Sequence, residues 1–327
     1  MTMTSRTFTV WTNLHLTERA LASLQSGLGS HRLVRAAEST TCFQPMGRHD
    51  PALAEADIAF GQPEADQCVA CARMRWVHLA SAGYTTFAGD DIRAQLIARG
   101  IPLTNSSSVY DEPCAQHALA FMLAEARQLP GSIRDQTTTH DWNTSPTRAA
   151  SFLMKGQTVL LVGYGAIAKR LAELLAPFDL HLVGFRRHPR GDEPIEVHAM
   201  AELSDWLARA DWIIDMLPAA GDTAGFFDGA KFAAMKTGAT FINIGRGATV
   251  DQPALLAALR GHLRAAYLDV TSPEPLPPEH PLWSAPHCFI TPHVAGGHGD
   301  ECDRLVALFL ANLNRHQRGL PLAGRVY

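Results

Sequence analysis

The sequence predicts an α/β protein built on a doubly wound parallel sheet, and three observations predict it. Between about residues 101 and 292, short apolar runs alternate with helical patterns. One of those runs breaks into a glycine turn that opens an amphipathic segment, over Val159–Ala168. The first hundred or so residues carry a second, smaller series of the same kind. Strand–helix–strand units repeated in this way fold with helices on both faces of a parallel sheet. At 327 residues the chain has room for two domains, each with a core of its own.

In the first series, strands are predicted at Thr7–Trp11, Arg32–Ala36, Ala56–Phe60 and Trp76–Leu79, with helical stretches between them such as that around Leu21–Leu28. Pro113–Leu129 then reads as a long, mostly apolar helix. The second series has strands at Thr158–Val162, His181–Phe185, Trp212–Leu217, Thr240–Ile244, Ala265–Asp269 and His287–Thr291. Most are near-continuous apolar runs, the pattern of strands covered on both faces. Between the first two, Ala166–Pro177 sets Leu171, Leu174 and Leu175 on one side and Lys169, Arg170 and Glu173 elsewhere. That is helical spacing, and Pro177 ends it. Leu305–Leu313 is a further helix, and this one or Pro113–Leu129 is the candidate to cross between domains. Internal repeats and low-complexity tracts are absent from the sequence.

Composition narrows the function. With 46% hydrophobic and 18% charged residues the chain is a compact soluble protein, not a disordered one. Its 28 basic against 32 acidic residues give a formal charge of −4, and no basic block stands out. Nucleic acid and anionic membrane are therefore not expected partners. No apolar run approaches the roughly 20 residues of a membrane span, and Met1–Arg6 lacks the apolar core of a secretory signal. Six cysteines in so long a chain make no disulfide scaffold, so a cytoplasmic location is expected. Cys68 and Cys71 form a CxxC without a second pair at zinc spacing, and read as small core residues. Asn105–Ser107 and Asn143–Ser145 match glycosylation acceptors but, without a secretory signal, read as chance.

The sharpest motif is Val162-Gly163-Tyr164-Gly165-Ala166-Ile167-Ala168 after a buried strand. Gly163 permits the tight turn, Gly165 lets the main chain approach a pyrophosphate, and small Ala168 lets helix and strand pack closely. The N–H groups that open the helix would hold the phosphates. At the end of the next strand a dinucleotide fold normally places an acid, about 20 residues past the first glycine, to accept from the adenosine ribose 2′-OH. Here Arg186 and Arg187 stand there, with Arg186 at the closer spacing. Two guanidiniums suit a 2′-phosphate; the alternative is a solvated pair beside a site tolerant of NAD.

Three further groups follow strand ends. Arg246 lies between Gly245 and Gly247 after the strand that ends in Ile244, where its planar fork can take a carboxylate. Taken alone, it reads equally well as a surface arginine in a turn. Glu274 follows Asp269, and His293 follows Thr291, on the face where ligands of open α/β sheets bind. A histidine oriented by a carboxylate is a general acid–base unit. Most of the fifteen histidines must be structural or solvated, so His293 gains its weight from Arg246, Glu274 and the glycine motif together.

These motifs resemble those of the D-isomer-specific 2-hydroxyacid dehydrogenases, including the glyoxylate/hydroxypyruvate reductases. The resemblance runs over nearly the whole chain and includes the stretch Trp76–Tyr84, the Gly163 turn, Asn243–Gly247, Leu268–Val270, Glu274–Leu276 and Thr291–Gly296. It implies a Rossmann-type cofactor domain, at 102–297, and a smaller flavodoxin-like substrate domain, at 1–101 with 298–327. It implies a catalytic triad of Arg246, Glu274 and His293, with main-chain N–H groups of Ala82 and Gly83 on the substrate carboxylate. Asp269 is implied near the nicotinamide carboxamide. Other cofactor contacts fall to Gly163, Tyr164, Gly165, Ala166 and Ile167, then to Leu217, Pro218, Thr223, Ile244, His293 and Gly296. A homodimer through the cofactor domains is the family habit. Two departures stand out: Gln116 where the family usually has Glu, and Arg186 where it often has Asp.

The expected protein is an NADP-preferring oxidoreductase, with NAD left open, that interconverts a small 2-oxo acid and its D-2-hydroxy acid in a cleft between the domains. No metal is expected, because Arg246 and the His293 imidazolium already polarise the carbonyl. A dinucleotide-sensing corepressor-like protein on the same fold is the rival from another class. A formate-type dehydrogenase would have glutamine at Glu274. Glyoxylate, hydroxypyruvate and larger 2-oxo acids stay open, since the side-chain pocket is expected from loops such as Gly47–Asp50 and Gly61–Pro63 and from Trp283.

Overall fold

The structure, a computed structural model, describes residues 7–41, 48–219 and 221–327. Gly47, in one predicted pocket loop, lies outside them. The chain divides into two units, Met1–Tyr110 with His298–Tyr327, and Asp111–Gly297.

The first unit holds β1 (Thr9–Leu14), β2 (Arg32–Thr40), β3 (Ile58–Gly61), β4 (Trp76–Leu79) and β5 (Leu103–Thr104). All pair in parallel in the order β2-β1-β3-β4-β5, the flavodoxin-like order. The strand β5 is only two residues long, too short for any periodicity, and it carries the first unit past the predicted boundary at 101–102. Helix Glu18–Leu28 begins where the Thr17 hydroxyl accepts from the Ala20 N–H at 3.2 Å, supplying an orphan donor of the first turn with a partner. The C-terminal helix Glu301–Gln317 also belongs here: Phe309 stacks on Phe60 with ring centroids 4.2 Å apart and on Trp76 at 5.3 Å. Cys68 and Cys71 are free and buried, and burial pushes the Cys68 thiol far above its ordinary value, which suits core residues.

The second unit holds β6 (Thr158–Val162), β7 (His181–Arg186), β8 (Glu196–Ala199), β9 (Trp212–Asp215), β10 (Thr240–Asn243), β11 (Ala265–Leu268) and β12 (Cys288–Ile290). They form one parallel sheet in the order β12-β11-β10-β9-β6-β7-β8. Numbered within the unit this is the Rossmann order 3-2-1-4-5-6 with a seventh strand added, and the order reverses between β6 and β9. Its core interleaves apolar residues of the strands, such as Leu160, Phe185, Ile213 and Phe241, with those of covering helices, such as Trp206, Phe232 and Leu255. The edge strand β8 is half-exposed and reads Glu-Val-His-Ala, so no apolar run announces it. Among the described residues no helix is long and apolar enough to cross a membrane. Nor, among them, are three or more His, Cys, Asp or Glu grouped to hold a metal ion.

Candidate active site

At the reversal of strand order, β6 runs out into Gly163, whose φ of 96° lies in the region that disfavours side chains. A Cβ there would also stand 2.9 Å from the Met216 carbonyl group, so only glycine lets the β6 and β9 ends approach this closely. Helix Ala166–Leu175 starts at Gly165 with no side-chain cap, and Gly165 and Ala166 are exposed. An uncapped, exposed helix start after a glycine turn fits a dinucleotide pyrophosphate. Ile167 is half-buried and Ala168 fully buried against the sheet. Tyr164 also secures the turn. Its N–H donates to the Phe185 carbonyl at 2.8 Å, and its ring is buried against Gly184, where a Cβ would meet it at 2.8 Å.

The ends of β7 and β9 carry charges already paired. Arg186 Nη1 donates to Glu193 Oε1 at 3.3 Å, and Arg187 Nη2 to both oxygens of Asp222 at 2.7 Å. Arg187 is the more exposed of the two, at 60% against 24%. Leu217 and Ile244 are buried, and Pro218 is exposed with its carbonyl accepting from the Thr223 hydroxyl at 2.6 Å.

Beneath the loop after β9 lies Asp215, fully buried. Burial pushes its carboxyl up to about 7, against hydrogen bonds from the Thr249 hydroxyl and the Leu217 N–H. The Thr249 hydroxyl also lies 2.6 Å from the Arg246 carbonyl. Asn243 braces the next turn: its Oδ1 accepts from the Gly245 N–H at 2.9 Å while its Nδ2 donates to the Arg246 carbonyl at 3.1 Å. Gly247 packs so tightly that a Cβ would stand 1.8 Å from the Thr271 carbonyl oxygen. Arg246 is thus held from three sides, and its Nη1 donates to the Gly245 carbonyl at 2.6 Å. Burial lowers its guanidinium from the ordinary value, and Glu274 and Cys114 nearby oppose that.

Glu274 and His293 meet directly, with Oε2 and Nδ1 2.9 Å apart. Glu274 Oε1 accepts from the Thr271 N–H at 2.9 Å. Burial raises the Glu274 carboxyl, but the bond to His293, the Thr271 N–H and the Arg246 charge outweigh it and hold it below the ordinary range. His293 itself has φ 53°, an uncommon backbone for a non-glycine residue. Two bonds from its N–H hold it there, to the carbonyls of Asp269 at 2.9 Å and Thr291 at 3.0 Å.

Asp269 is above all a brace for this segment. It is 2% exposed. Its Oδ1 accepts from the Thr291 hydroxyl at 2.6 Å and the Val294 N–H at 2.9 Å, and its Oδ2 from the Ala295 N–H at 2.9 Å. His117 backs it, with Nε2 3.1 Å from the Thr291 hydroxyl. Gly296 follows, half-buried. In the first unit, the Ala82 carbonyl accepts from Asn105 Nδ2 and the Gly83 carbonyl from the Ser81 hydroxyl, both at 2.7 Å, fixing the turn that carries their N–H groups.

The structure therefore joins Arg246, Glu274 and His293 at the carboxyl ends of successive strands of one sheet. Sequence reasoning missed Asp215, Asn243, Thr249 and His117. A polar residue closing an apolar strand was the available signal for Asp215 and Asn243. Trp283 is half-exposed, its indole donating to the Pro277 carbonyl at 2.9 Å.

A glycine turn at the switch point of a Rossmann sheet, with a cation and a carboxylate–histidine pair beside it, defines a dinucleotide-dependent oxidoreductase. A sequence model of the family "D-isomer specific 2-hydroxyacid dehydrogenase, NAD binding domain" matches residues 119–295. The chain belongs to this family. It is 34% identical over 227 residues to the mouse glyoxylate reductase/hydroxypyruvate reductase, covering 68% of each chain. To glyoxylate/hydroxypyruvate reductase B of Citrobacter koseri it is 32% identical over 280 residues, covering 83% of this chain and 84% of that one. The D-isomer specific 2-hydroxyacid dehydrogenase of Xanthobacter autotrophicus, solved with NADPH and MES, has the same fold. Its TM-score is 0.81 at 24% identity, over 98% of both chains. These similarities favour an NAD(P)-dependent 2-hydroxyacid dehydrogenase over a dinucleotide-sensing binding protein.

Proposed function

We propose that the protein reduces a small 2-oxo acid to its D-2-hydroxy acid, with His293 as the general acid, Glu274 orienting it and Arg246 holding the substrate carboxylate. The observation that carries this reading is the 2.9 Å contact between His293 Nδ1 and Glu274 Oε2, with the charge of Arg246 acting on the same carboxylate. Glu274 stays ionised and accepts from Nδ1–H, which leaves Nε2 as the nitrogen that offers a proton. A nicotinamide dinucleotide, when bound, would supply the hydride. Protonated His293 gives its Nε2 proton to the carbonyl oxygen, and the ring returns to neutral; in oxidation it takes the proton back. Arg246 binds the carboxylate through its planar fork and draws charge from the adjacent carbonyl. The N–H groups of Ala82 and Gly83 are assigned to the same carboxylate.

Gly163, Gly165, Ala166 and Ile167 would hold the pyrophosphate, and the turns at Leu217–Pro218, Thr223, Ile244 and Gly296 would complete the cofactor contacts. Arg186 and Arg187 at the ribose end favour NADPH over NADH. The same reading makes the protein a cytoplasmic homodimer that associates through its cofactor domains. Glyoxylate, hydroxypyruvate and larger 2-oxo acids, each assayed with NADPH and with NADH, test it. At least one is expected to be turned over, faster with NADPH. Binding of the dinucleotide with no turnover of any 2-oxo acid would overturn the enzymatic reading, and equal efficiency with both dinucleotides the preference alone.

A further inference from the structure

We propose that Glu193 is a specificity-determining residue, a built-in counter-ion that limits how strongly the ribose end of the site favours a 2′-phosphate. The inference rests on reading Arg186 and Arg187 as that end, and it concerns a residue outside the usual reader position.

The two arginines are paired in different ways. Arg187 and Asp222 are both well exposed, at 60% and 62%. An exposed pair of this kind contributes little and exchanges readily with solvent, so Asp222 can turn away when another anion arrives. Glu193 cannot. Its side chain is only 4% exposed, and its two oxygens accept from the N–H groups of Arg190 at 2.9 Å and Gly191 at 2.8 Å. The tight turn Arg190–Glu193 thus fixes the carboxylate in place, independently of Arg186. These main-chain bonds, that from Arg190 foremost, hold the carboxyl below its ordinary range, so the charge is permanent near neutral pH.

Arg186 meets this fixed anion through one nitrogen, Nη1, at 3.3 Å. A guanidinium has five N–H donors, so the remainder of the fork is available to a ligand. The Tyr164 hydroxyl is buried without a hydrogen-bond partner and is subject to the charges of both Glu193 and Arg186. A phosphate approaching Arg186 therefore finds donors but also a nearby carboxylate that stays. A ribose hydroxyl carries no charge and is not repelled by it. The fixed acid lowers the advantage of the 2′-phosphate without harming the unphosphorylated ribose, and the discrimination is smaller than two arginines alone would give.

Calorimetric titration of the full chain with adenosine 2′,5′-bisphosphate and with 5′-AMP reads this without turnover. Glu193→Gln is expected to tighten the bisphosphate about three- to tenfold and to leave 5′-AMP within about twofold, with the gain shrinking at high salt. Glu193→Ser, which keeps a short acceptor for the turn, is expected to act in the same direction and stands in if the glutamine variant misfolds. Asp222→Asn is expected to have a smaller effect. An unchanged or weakened affinity for the bisphosphate in both Glu193 variants would overturn the proposal. If Arg186→Ala and Arg187→Ala abolish discrimination while the Glu193 variants do nothing, the proposal alone fails. If neither arginine variant alters discrimination, the reading of the ribose end fails with it.

Discussion

His78 and His293 are both drawn from motifs at strands of parallel sheets, yet their surroundings are opposite. His78 lies inside β4, fully buried, with Nδ1 2.6 Å from the Thr104 hydroxyl and Nε2 3.3 Å from the Ser106 hydroxyl. The rings of Phe60, Trp76 and Phe309 surround it, and burial pushes it down to about 3. His293 follows β12, is exposed, and faces a carboxylate. Hydroxyls accommodate a neutral ring, whereas a carboxylate favours a charged one. Partner chemistry and access to solvent, more than position in a motif, separate the histidine buried in the fold from the one that meets a carboxylate at the surface.

The contrast is broken most severely at the exposed histidine. His293→Ala is expected to lower 2-oxo acid reduction by about 10²–10⁴-fold, the usual contribution of a positioned general acid, while the dinucleotide still binds. Steady-state turnover alongside a fluorescence titration of the cofactor checks both halves. Arg246→Lys comes next. It keeps the charge but loses the two-donor fork, and charge-assisted bonds contribute about 1.5–3 kcal/mol each. A fall of about ten- to hundredfold in kcat/KM is expected, shared between kcat and KM. Unchanged constants would remove Arg246 from the role of anchor.

The buried histidine has its effect on stability instead. Its folded value lies below that of the unfolded chain, so its contribution is fully present above about pH 6.5 and is lost as pH falls toward about 3. The slope is at most about 1.4 kcal/mol per pH unit from this one group. Urea unfolding between pH 7 and pH 4 is expected to show a shallower acid loss in His78→Gln than in the wild type. Parallel curves for the two proteins would mean that His78 is not what the acid attacks.

Much of this was legible in the sequence because it is written in contiguous residues. The strands β4 and β6 fall at their predicted ends, and the others at theirs within a few residues, since apolar runs flanked by turn residues report buried parallel strands directly. Arg246, Glu274 and His293 could be singled out because each sits within a few positions of a strand's carboxyl end. The strands β5 and β8 escaped notice, one too short and the other too polar for a pattern. Pairings across loops escaped as well. Nothing in the run Arg186-Arg187-His188-Pro189 tells that the first arginine turns to Glu193 and the second to Asp222. The same limit applies to Asp269, whose inward turn toward Thr291, Val294 and Ala295 depends on how the chain returns after β12.

The claim on which the rest depends is that Glu274 and His293 act as one acid–base unit, and its most direct test is the pH–rate profile of 2-oxo acid reduction in the wild type and in Glu274→Gln. Removing the carboxylate's charge removes the anion that faces the imidazole across the 2.9 Å contact and stabilises its protonated form. The falling alkaline limb is predicted to move toward acid in the variant, beyond any change in its maximum rate. A limb at the same pH in both proteins, in a folded variant that still binds the dinucleotide, would contradict the account.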